Sequence, residues 1–498
     1  MKKFLAFFLI IIMIASVFTS CNTVEVDENI NETQSGSESE SQKQTEKETE
    51  KQTEKKTEKQ TEKQTEKQTE KETEGDNSDE GENGGNVSDK NFEGYIAIST
   101  AEELKAISLD GKYYLTKNID MGGEEWVAIG NSDTKFTGTF DGNGYSVSNF
   151  KITKDNYYAG LFGHNEGTIE NISVKNFTIN INSDMNLISI GGVVGYNKGN
   201  IVNCKADGSI NVVGDNYGNV GGLVGNNNGE ITNCSARVNV SLTALREGKV
   251  GGLVGFNDKF ISDSYAGGTV SVGNKCQGGG LVGNNDDTVK NSFAIGNISA
   301  EKYSVSGGLI GFNGGIVESS CSVGNVTVSN ADIATAGGLI GTEMMGVVND
   351  CYATGKVSAS GGNAKAGGLI GEASSSQIKK CYATGNVSAT TPGGLIGSCD
   401  SAVIKNCYAT GNANSTDQYG WAGGLIGNGS DNEVINCYRS SSQSVSAGGY
   451  VNTEDGTSKS LSTIKTVDFQ STTLGWSADV WKFTEGEHPQ LKKAGASE

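Results

Sequence analysis

The sequence predicts an all-β protein, a right-handed parallel β-helix of about ten coils preceded by a low-complexity, disordered linker. A five-residue motif, Gly-Gly-Leu-(Val/Ile)-Gly or a close variant, recurs ten times at intervals of 26 to 32 residues. The composition combines 71 glycines with two prolines, which suits short strands whose amides are engaged in ladders and joined by tight turns. Stacked coils enclose a core that one coil cannot bury alone.

Each repeat contains further recurrent positions beyond this pentad. A third β-prone segment follows the second position, so each repeat is expected to hold three short strands, the size of one β-helix coil. A propeller blade would need four strands and about 40 residues. The pentads end at Gly163, Gly195, Gly225, Gly255, Gly283, Gly311, Gly341, Gly371, Gly397 and Gly427. The second position, nine or ten residues later, holds Ile172, Cys204, Cys234, Ser264, Ser292, Ser320, Cys351, Cys381, Cys407 and Cys437.

The chain divides into five predicted segments. A capping box of Thr100 and Glu103 marks a short helix at the start of the folded part. After the last repeat, four large apolar residues are expected to cap the end of the stack: Trp476, Trp481, Phe483 and Leu491. The segments are a signal peptide (1–21), a Lys/Thr/Glu/Gln linker (22–90), an N-terminal cap with the first coil (91–158), the repeats (159–440) and a C-terminal cap (441–498).

The first residues indicate export. Two lysines precede the apolar run 4–18, and Thr19-Ser20-Cys21 follows it, which is the pattern of a secretory signal. The ending resembles a bacterial lipobox, in which the cysteine thiol is lipidated and becomes the new N-terminus. Cleavage by the general signal peptidase and an uncleaved anchor remain as alternatives. All three interpretations take the rest of the chain out of the cytoplasm.

The segment 43–74 consists of eight tetrads of the form Lys-x-Thr-Glu. It contains no apolar residue, so it cannot form a core. A period of four places like charges at i and i+4 of a helix, which is repulsive, and an extended hydrated spacer is therefore expected. The net charge of −20 argues against nucleic acid as a partner.

The pentads and the segment Asn-Cys-Tyr-Ala-Thr-Gly-Asn, seen at 406–412, resemble the GLUG motif family of bacterial surface proteins. The resemblance covers about residues 136–438. It implies a β-helical protein at the cell surface with a role in adhesion or binding. The motif carries no catalytic residues, so no enzymatic site, metal or cofactor is expected from it.

Two sets of residues have alternative interpretations. The cysteine column accepts Cys, Ser and Ile, which indicates a small buried position; disulfides between neighbouring coils are the alternative. Asp258, Asp286 and Asp287 follow the pentads of consecutive repeats. They are expected to be solvated turn residues, although stacked carboxylates could also bind calcium or serve a carbohydrate-active enzyme.

An aromatic column directly follows the cysteine column, at Tyr352, Tyr382, Tyr408 and Tyr438 in four consecutive repeats. Because side chains alternate along a strand, an inward cysteine implies an outward tyrosine. The sequence therefore predicts an exposed strip that binds a ligand, or that only stabilises the sheet surface.

The function expected from these features is that of a lipid-anchored, non-enzymatic adhesion protein at the bacterial cell surface. Its partners would be a host, matrix or glycan ligand and, through the lipid on Cys21, the membrane. The alternatives are a structural spacer of the cell envelope and a carbohydrate-active β-helix enzyme.

Overall fold

The computed structural model describes residues 90–493 apart from 184, 215–216, 245–246, 330–332 and 454. The chain divides into two units after Glu82, and the described residues lie in the second. The predicted signal peptide, Cys21 and nearly all of the predicted linker lie outside the described residues. Within the described ranges, we find no helix that is both long and apolar enough to cross a membrane.

The described residues form an all-β parallel solenoid of about eleven turns, which confirms the predicted fold class. Each of the ten repeat coils passes through four sheets in a fixed order, as in the strands Gly218–Gly221, Val224–Asn227, Glu230–Thr232 and Ser235–Ala244. These strands pair in parallel with the equivalent strands of the next coil. The prediction of three strands per coil was wrong, because a sharp corner inside the pentad divides it between two sheets.

We number the four solenoid sheets I to IV. Sheet I contains Ile96–Ile98, Lys112–Leu115, Thr139–Asp141, Thr168–Glu170, Asn200–Val202, Glu230–Thr232, Ile261–Ser262, Thr288–Lys290, Ile316–Glu318, Val347–Asn349, Gln377–Lys379, Val403–Lys405 and Glu433–Ile435. Sheet II contains Ile119–Asp120, Ser146–Ser148, Lys151–Ile152, Ser173–Ser183, Lys205–Gly214, Ser235–Ala244, Tyr265–Ala266, Val270–Val272, Phe293–Ala294, Ile298–Ala300, Cys321–Ser322, Val326–Val328, Tyr352–Ala353, Val357–Ala359, Tyr382–Ala383, Val387–Ala389, Tyr408–Ala409, Ala413–Ser415, Tyr438–Ser440, Val445–Ser446 and Thr457–Lys459.

The other two sheets meet at the pentads. Sheet III contains Tyr158–Ala159, Ile188–Gly191, Gly218–Gly221, Lys249–Gly251, Gln277–Gly279, Val305–Gly307, Ile333–Gly337, Asn363–Gly367, Thr391–Gly393, Trp421–Gly423 and Tyr450–Asn452. Sheet IV contains Phe162–Asn165, Val194–Asn197, Val224–Asn227, Val254–Asn257, Val282–Asn285, Ile310–Asn313, Ile340–Met344, Ile370–Ser374, Ile396–Asp400 and Ile426–Ser430. Outside the solenoid sheets, Trp481–Lys482 pairs antiparallel with Gln490–Leu491.

The pentad glycines allow sheets III and IV to meet at a sharp corner. A Cβ atom on Gly221, at the end of a sheet III strand, would overlap the carbonyl oxygen of Val224 in sheet IV. A Cβ atom on Gly225 would overlap the backbone nitrogen of Ile190 in the preceding coil. Both glycines are therefore required by close backbone approach across the corner.

A ladder of amide side chains lies inside the solenoid, just beyond this corner. Each asparagine donates from Nδ2 to Oδ1 of the next at 2.7–2.8 Å, and Asn313 Nδ2 donates to Glu343 Oε2 at 2.7 Å. All members are buried, so the ladder satisfies polar groups that burial would otherwise leave unpaired. The members are Asn165, Asn197, Asn227, Asn257, Asn285, Asn313 and Glu343.

The cysteine column occupies a turn between sheets I and II. Asn233 has a positive φ of 54°, a conformation that asparagine tolerates. The next side chain closes the turn: Cys234 Sγ donates to Thr232 O at 3.3 Å, as Ser264 Oγ does to Ser262 O at 2.7 Å. The column is buried, and its six cysteines carry free thiols, as the small-residue interpretation predicts: Cys204, Cys234, Cys351, Cys381, Cys407 and Cys437.

The start of the folded part matches the expected capping box. The helix Ala101–Lys105 begins after Thr100, whose Oγ1 accepts from Glu103 N at 3.1 Å. Glu103 Oε2 in turn accepts from Thr100 N at 3.1 Å, so both halves of the box are present.

The C-terminal end of the solenoid is not capped by the apolar residues that the sequence predicted for it. The last coil is closed by Gln443, whose Nε2 donates to Gly424 O at 2.9 Å, and by Gly456, which packs against Leu425. Residues 460–493, with a short helix at Leu461–Ile464 and a π-helix at Phe469–Thr473, form a C-terminal strap. Trp476, Trp481 and Leu491 are buried in this strap against the side of sheet II, so the prediction that they cap the end was wrong.

Candidate functional site

The predicted tyrosine strip is in register along sheet II. Tyr352, Tyr382, Tyr408 and Tyr438 pair as neighbours in consecutive coils. The rings of Tyr352 and Tyr382 stack 4.9 Å apart, and those of Tyr382 and Tyr408 stack 5.0 Å apart, both within 5° of parallel. The spacing equals the distance between neighbouring strands, so the coil repeat determines it.

The C-terminal strap covers this strip. Trp476 stacks on Tyr408 at 5.6 Å, and Trp481 lies 6.0 Å from Tyr382. Phe469 meets Tyr438 edge to face at 4.9 Å. As a result Tyr382 is 2% exposed and Tyr408 is not exposed at all.

Polar contacts fix the strap on the strip. The hydroxyl of Tyr382 donates to Pro489 O at 2.8 Å, and the hydroxyl of Tyr408 lies 2.9 Å from His488 Nδ1. Trp481 Nε1 donates to Asp350 Oδ1 at 2.9 Å. Burial lowers the pKa of His488 to about 4, so its ring is neutral at neutral pH.

The prediction that these tyrosines form an exposed strip was therefore wrong for Tyr352, Tyr382 and Tyr408, while Tyr438 is half-buried. The alternation argument placed them correctly on the outer face of the sheet. Their aromatic surface then recruits apolar residues of the same chain, because a continuous apolar strip of this kind is costly to leave in water. The strap therefore occupies the surface that the sequence suggested for a ligand.

A re-entrant surface lies at the corner between sheets III and IV. Other concave surfaces of the described residues lie on sheet II, around Asp207 and Arg237, and beside the strap, around Glu318 and Lys492. One outward residue of each sheet IV strand faces the corner, and one outward residue of each sheet III strand lies opposite. We call these two columns the corner groove. The central positions from sheet IV are Tyr196, Asn226, Phe256, Asn284, Phe312 and Thr342. Those from sheet III are Ser189, Asn219, Lys249, Gln277, Val305 and Thr335.

Contacts across the corner show that it is re-entrant. Asn284 Nδ2 donates to Gln277 Oε1 at 2.7 Å. Lys249 Nζ lies 4.9 Å from the centre of the Phe256 ring, a cation–π contact. At one end of the groove, the rings of Tyr158 and Tyr196 stack at 5.3 Å. Outward side chains seven positions apart meet in this way only if the two sheets form an inside angle.

The groove contains polar atoms that lack partners within the described part of the chain. The Oδ1 atoms of Asn226 and Asn284 are buried there and accept no hydrogen bond from any described residue. A buried acceptor without a donor costs free energy, so these atoms favour a hydroxyl, an amide or water in the groove. Half-buried aromatic rings flank them at Tyr196, Phe256 and Phe312.

The other candidates from the sequence do not come together as a reaction centre. Asp258 Oδ2 accepts from Asn228 Nδ2 at 2.9 Å in the turn that follows sheet IV. Burial raises the pKa of the Cys204 and Cys381 thiols. Across the described ranges, we find no group of three or more His, Cys, Asp or Glu side chains that could hold a metal ion.

Sequence reasoning missed the corner groove and the asparagine ladder. The ladder has a clear signal: asparagine stands two residues after the last pentad glycine in six consecutive repeats, from Gly163-His-Asn165 to Gly311-Phe-Asn313. The intervening residue is the groove residue. Its role could not be deduced from alternation, because the corner interrupts the period of two between Gly221 and Val224.

Comparison with known proteins places three of the repeats in a described motif. The GLUG motif matches residues 186–211, 216–241 and 362–388. A solved structure of a candidate immunoglobulin A1 protease from Bacteroides ovatus aligns with 80% of this chain and 92% of its own, at 18% identity and a TM-score of 0.32. A TM-score this low supports no argument about this chain.

Two curated relatives share part of the sequence. Halomucin of Haloquadratum walsbyi is 35% identical over 113 residues, which is 20% of this chain and 1% of halomucin. A candidate Gly-rich membrane protein of Evansella cellulosilytica is 34% identical over 96 residues, 19% of this chain and 11% of that protein. The chain thus spans only a small part of the length of both relatives. The expected resemblance is confirmed: three repeats of this solenoid are GLUG motifs.

Proposed function

We propose that this chain is a lipid-anchored protein of the bacterial cell surface that binds an extended ligand through its corner groove, without catalysing a reaction. The sequence supports the anchor through Lys2, Lys3, the apolar run and Cys21. A relative that carries the name of a membrane protein supports a position at the cell envelope. The segment between Cys21 and the solenoid would hold the groove away from the membrane.

The observation that carries the binding role is the composition of the groove. Half-buried rings and unpaired amide oxygens line a concave surface that runs across consecutive coils. Aromatic faces with a few fixed polar groups are typical of binding sites. Because equivalent positions of neighbouring coils are about 4.8 Å apart, the surface presents a repeated set of contacts to a ligand that runs along it.

One observation favours a second candidate, a structural spacer of the envelope. The aromatic strip most suited to stacking is covered by the strap and is therefore closed to partners. In a spacer, the solenoid would serve only to carry length, and its outer columns would bind nothing.

Binding to glycan and matrix-protein arrays distinguishes the two candidates. The purified full chain is compared with a groove variant, Phe256→Asn with Phe312→Asn. Asparagine already occupies this column at Asn226 and Asn284, so the substitution is compatible with the fold. The matched control is Tyr265→Asn with Phe293→Asn, which removes a stacked aromatic pair from sheet II.

The binding role predicts that the unmodified full chain binds at least one ligand class on the arrays. The groove variant should not bind that ligand, and the control should bind it as the unmodified chain does. If the unmodified chain binds no ligand on either array, the structural spacer is supported. Equal retention by the groove variant and the unmodified chain would show that binding occurs elsewhere on the solenoid.

A further inference from the structure

We infer, resting on the proposed binding role, that the corner groove takes an extended neutral polysaccharide whose sugar rings follow the coils one by one. The inference rests on the order of residues in the sheet IV column of the groove. Aromatic and amide side chains alternate there in five consecutive coils: Tyr196, Asn226, Phe256, Asn284 and Phe312.

The spacing of this column suits a chain of sugar rings. Equivalent positions in neighbouring coils lie about 4.8 Å apart, so aromatic rings in alternate coils recur at about 10 Å. A pyranose ring in an extended glycan is about as long as one coil rise. Alternate sugars would therefore stack on an aromatic side chain, and the sugars between them would lie on an asparagine.

The unpaired amide oxygens identify the polar part of the ligand. Asn284 donates its Nδ2 to Gln277 Oε1, which fixes the amide and leaves Oδ1 as a buried acceptor. Asn226 Oδ1 is likewise buried and accepts from no described residue. Both oxygens lack a donor but are closed to solvent, so a ligand reaches them only if the asparagine side chain turns outward; sugar hydroxyl groups then offer donors on every ring.

An extended peptide fits the same column less well. Its residues advance about 3.3 Å and their side chains alternate between two faces, so side chains on one face recur at about 6.6 Å, out of step with aromatic rings that recur at about 10 Å. A peptide could also pair with the edge of a sheet, but the groove column lies on sheet faces whose strands are already paired on both sides.

The charges beside the column argue against an acidic polysaccharide. Lys249 lies over Phe256, and burial lowers the pKa of its amine. The carboxylates of Asp286, near Lys249, and Asp258, near Tyr196, add negative charge on the same side. An anionic chain would meet the ammonium groups of Lys249 and of Lys198, whose Nζ lies 5.6 Å from the Tyr196 ring, together with the carboxylates of Asp286, Asp258 and Glu166. The column therefore offers no net positive charge to attract an acidic polysaccharide.

The test measures binding of defined soluble probes to the purified full chain by calorimetry. The probes are neutral 1,4-linked hexasaccharides of glucose and of N-acetylglucosamine, an acidic hexasaccharide of galacturonic acid, and an unstructured peptide of six to ten residues. Each probe is measured with the unmodified chain, with Phe256→Asn plus Phe312→Asn, and with Tyr265→Asn plus Phe293→Asn. Melting temperatures verify that all three proteins are folded.

We expect a neutral hexasaccharide to bind the unmodified chain and the sheet II control equally. Loss of two stacking rings should weaken that binding by at least tenfold in the groove variant. A hexasaccharide should also bind more tightly than its trisaccharide, because three rings cover only Phe256, Asn284 and Phe312, whereas six also reach Asn226 and Tyr196. Unchanged binding in the groove variant would overturn the inference, as would binding of the acidic probe or the peptide alone.

The experiments distinguish failure of the inferred ligand class from failure of the proposed binding role. If the groove variant loses array binding while no neutral sugar binds the unmodified chain, the groove is a binding site and the ligand class is wrong. If the groove variant keeps all array binding, both the ligand class and the site are wrong.

Discussion

The hydroxyl group of Tyr382 donates a 2.8 Å hydrogen bond to the carbonyl oxygen of Pro489, which lies 107 residues further along the chain. This contact ties the C-terminal strap to the aromatic strip of sheet II. The strip is thus part of a second, smaller apolar core outside the solenoid, together with Ile464, Trp476 and Trp481. Its tyrosines contribute to stability rather than to an open surface.

Truncation of a covered tyrosine should therefore destabilise the protein. Tyr408→Ala removes a fully buried ring and should cost about 3–5 kcal/mol of unfolding free energy, whereas Tyr408→Phe removes only the contact with His488 and should cost about 1 kcal/mol. The matched control is Tyr265→Ala, on the uncovered part of the same column, which should cost less than Tyr408→Ala. Thermal and denaturant unfolding give the comparison, and equal losses for the two alanine variants would contradict the covered strip.

The cysteine column should tolerate serine. In this turn the serine hydroxyl is already accommodated at Ser264, where it donates to the carbonyl two residues earlier and accepts from Cys234 N at 3.1 Å. Cys407→Ser should therefore cost no more than about 1 kcal/mol, since the buried hydroxyl finds the same partners. Reducing agent should leave the melting temperature unchanged. A marked fall in melting temperature on reduction would indicate disulfides between coils.

The end of the asparagine ladder should make stability depend on pH. Burial raises the pKa of Glu343 from 4.5 to about 8, although hydrogen bonds from Asn313 and from the backbone of Gly346 act in the opposite direction. The unfolded chain releases this proton near pH 4.5 and the folded chain only near pH 8. The folded state therefore loses stability as the pH rises between these values, by an amount on the order of 3–5 kcal/mol.

Glu343→Gln removes this titration and keeps an oxygen to accept from Asn313. Its advantage in melting temperature over the unmodified protein should grow from pH 5 to pH 8. The control is Glu372→Gln, which removes a carboxylate from the outer face, where it pairs with Lys365 at 2.7 Å. Parallel stability curves for Glu343→Gln and the unmodified protein would show that Glu343 is ionised in the folded state.

The membrane anchor is testable separately from the solenoid. Cys21→Ala should move the protein from the membrane fraction to the medium or stall its processing, because the lipid attachment site is lost. Cys407→Ser serves as a control for loss of a thiol elsewhere and should remain in the membrane fraction. A Cys21→Ala protein that stays in the membrane with a normally cleaved N-terminus would rule out lipidation.

The repeated parts of the fold could be predicted from the sequence because each repeat has the same residue types at nearly the same spacing. The period of the pentads predicted the coil, and the constant spacing from Gly225 to Cys234 predicted a fixed segment between them, but the corner inside the pentad was not predicted. The register of Tyr382 on Tyr408 followed from the same period. The burial of that strip under the strap could not be predicted in this way. Trp481 bonds to Asp350 across 131 residues of sequence and lies outside the repeats, so no period indicates the contact.

The corner groove was hidden for a different reason. Sequence alternation assigns faces only within one strand, and Leu223 and Val224 are both buried where the chain turns from sheet III to sheet IV. Alternation could therefore not predict which residues after this corner face outward. Only the structure shows that Asn226 and Phe256 lie outward on one concave surface.

Hydroxyl-radical footprinting of the purified full chain, read by mass spectrometry, tests the open groove and the closed strip in one measurement. Phenylalanine and tyrosine rings oxidise at rates that follow their access to water. We expect oxidation at Phe256 and Phe312, and protection of Tyr382 and Tyr408. Oxidation of Tyr382 and Tyr408 as fast as that of Tyr265, with Phe256 and Phe312 protected, would contradict the assignment of the corner groove as the binding surface.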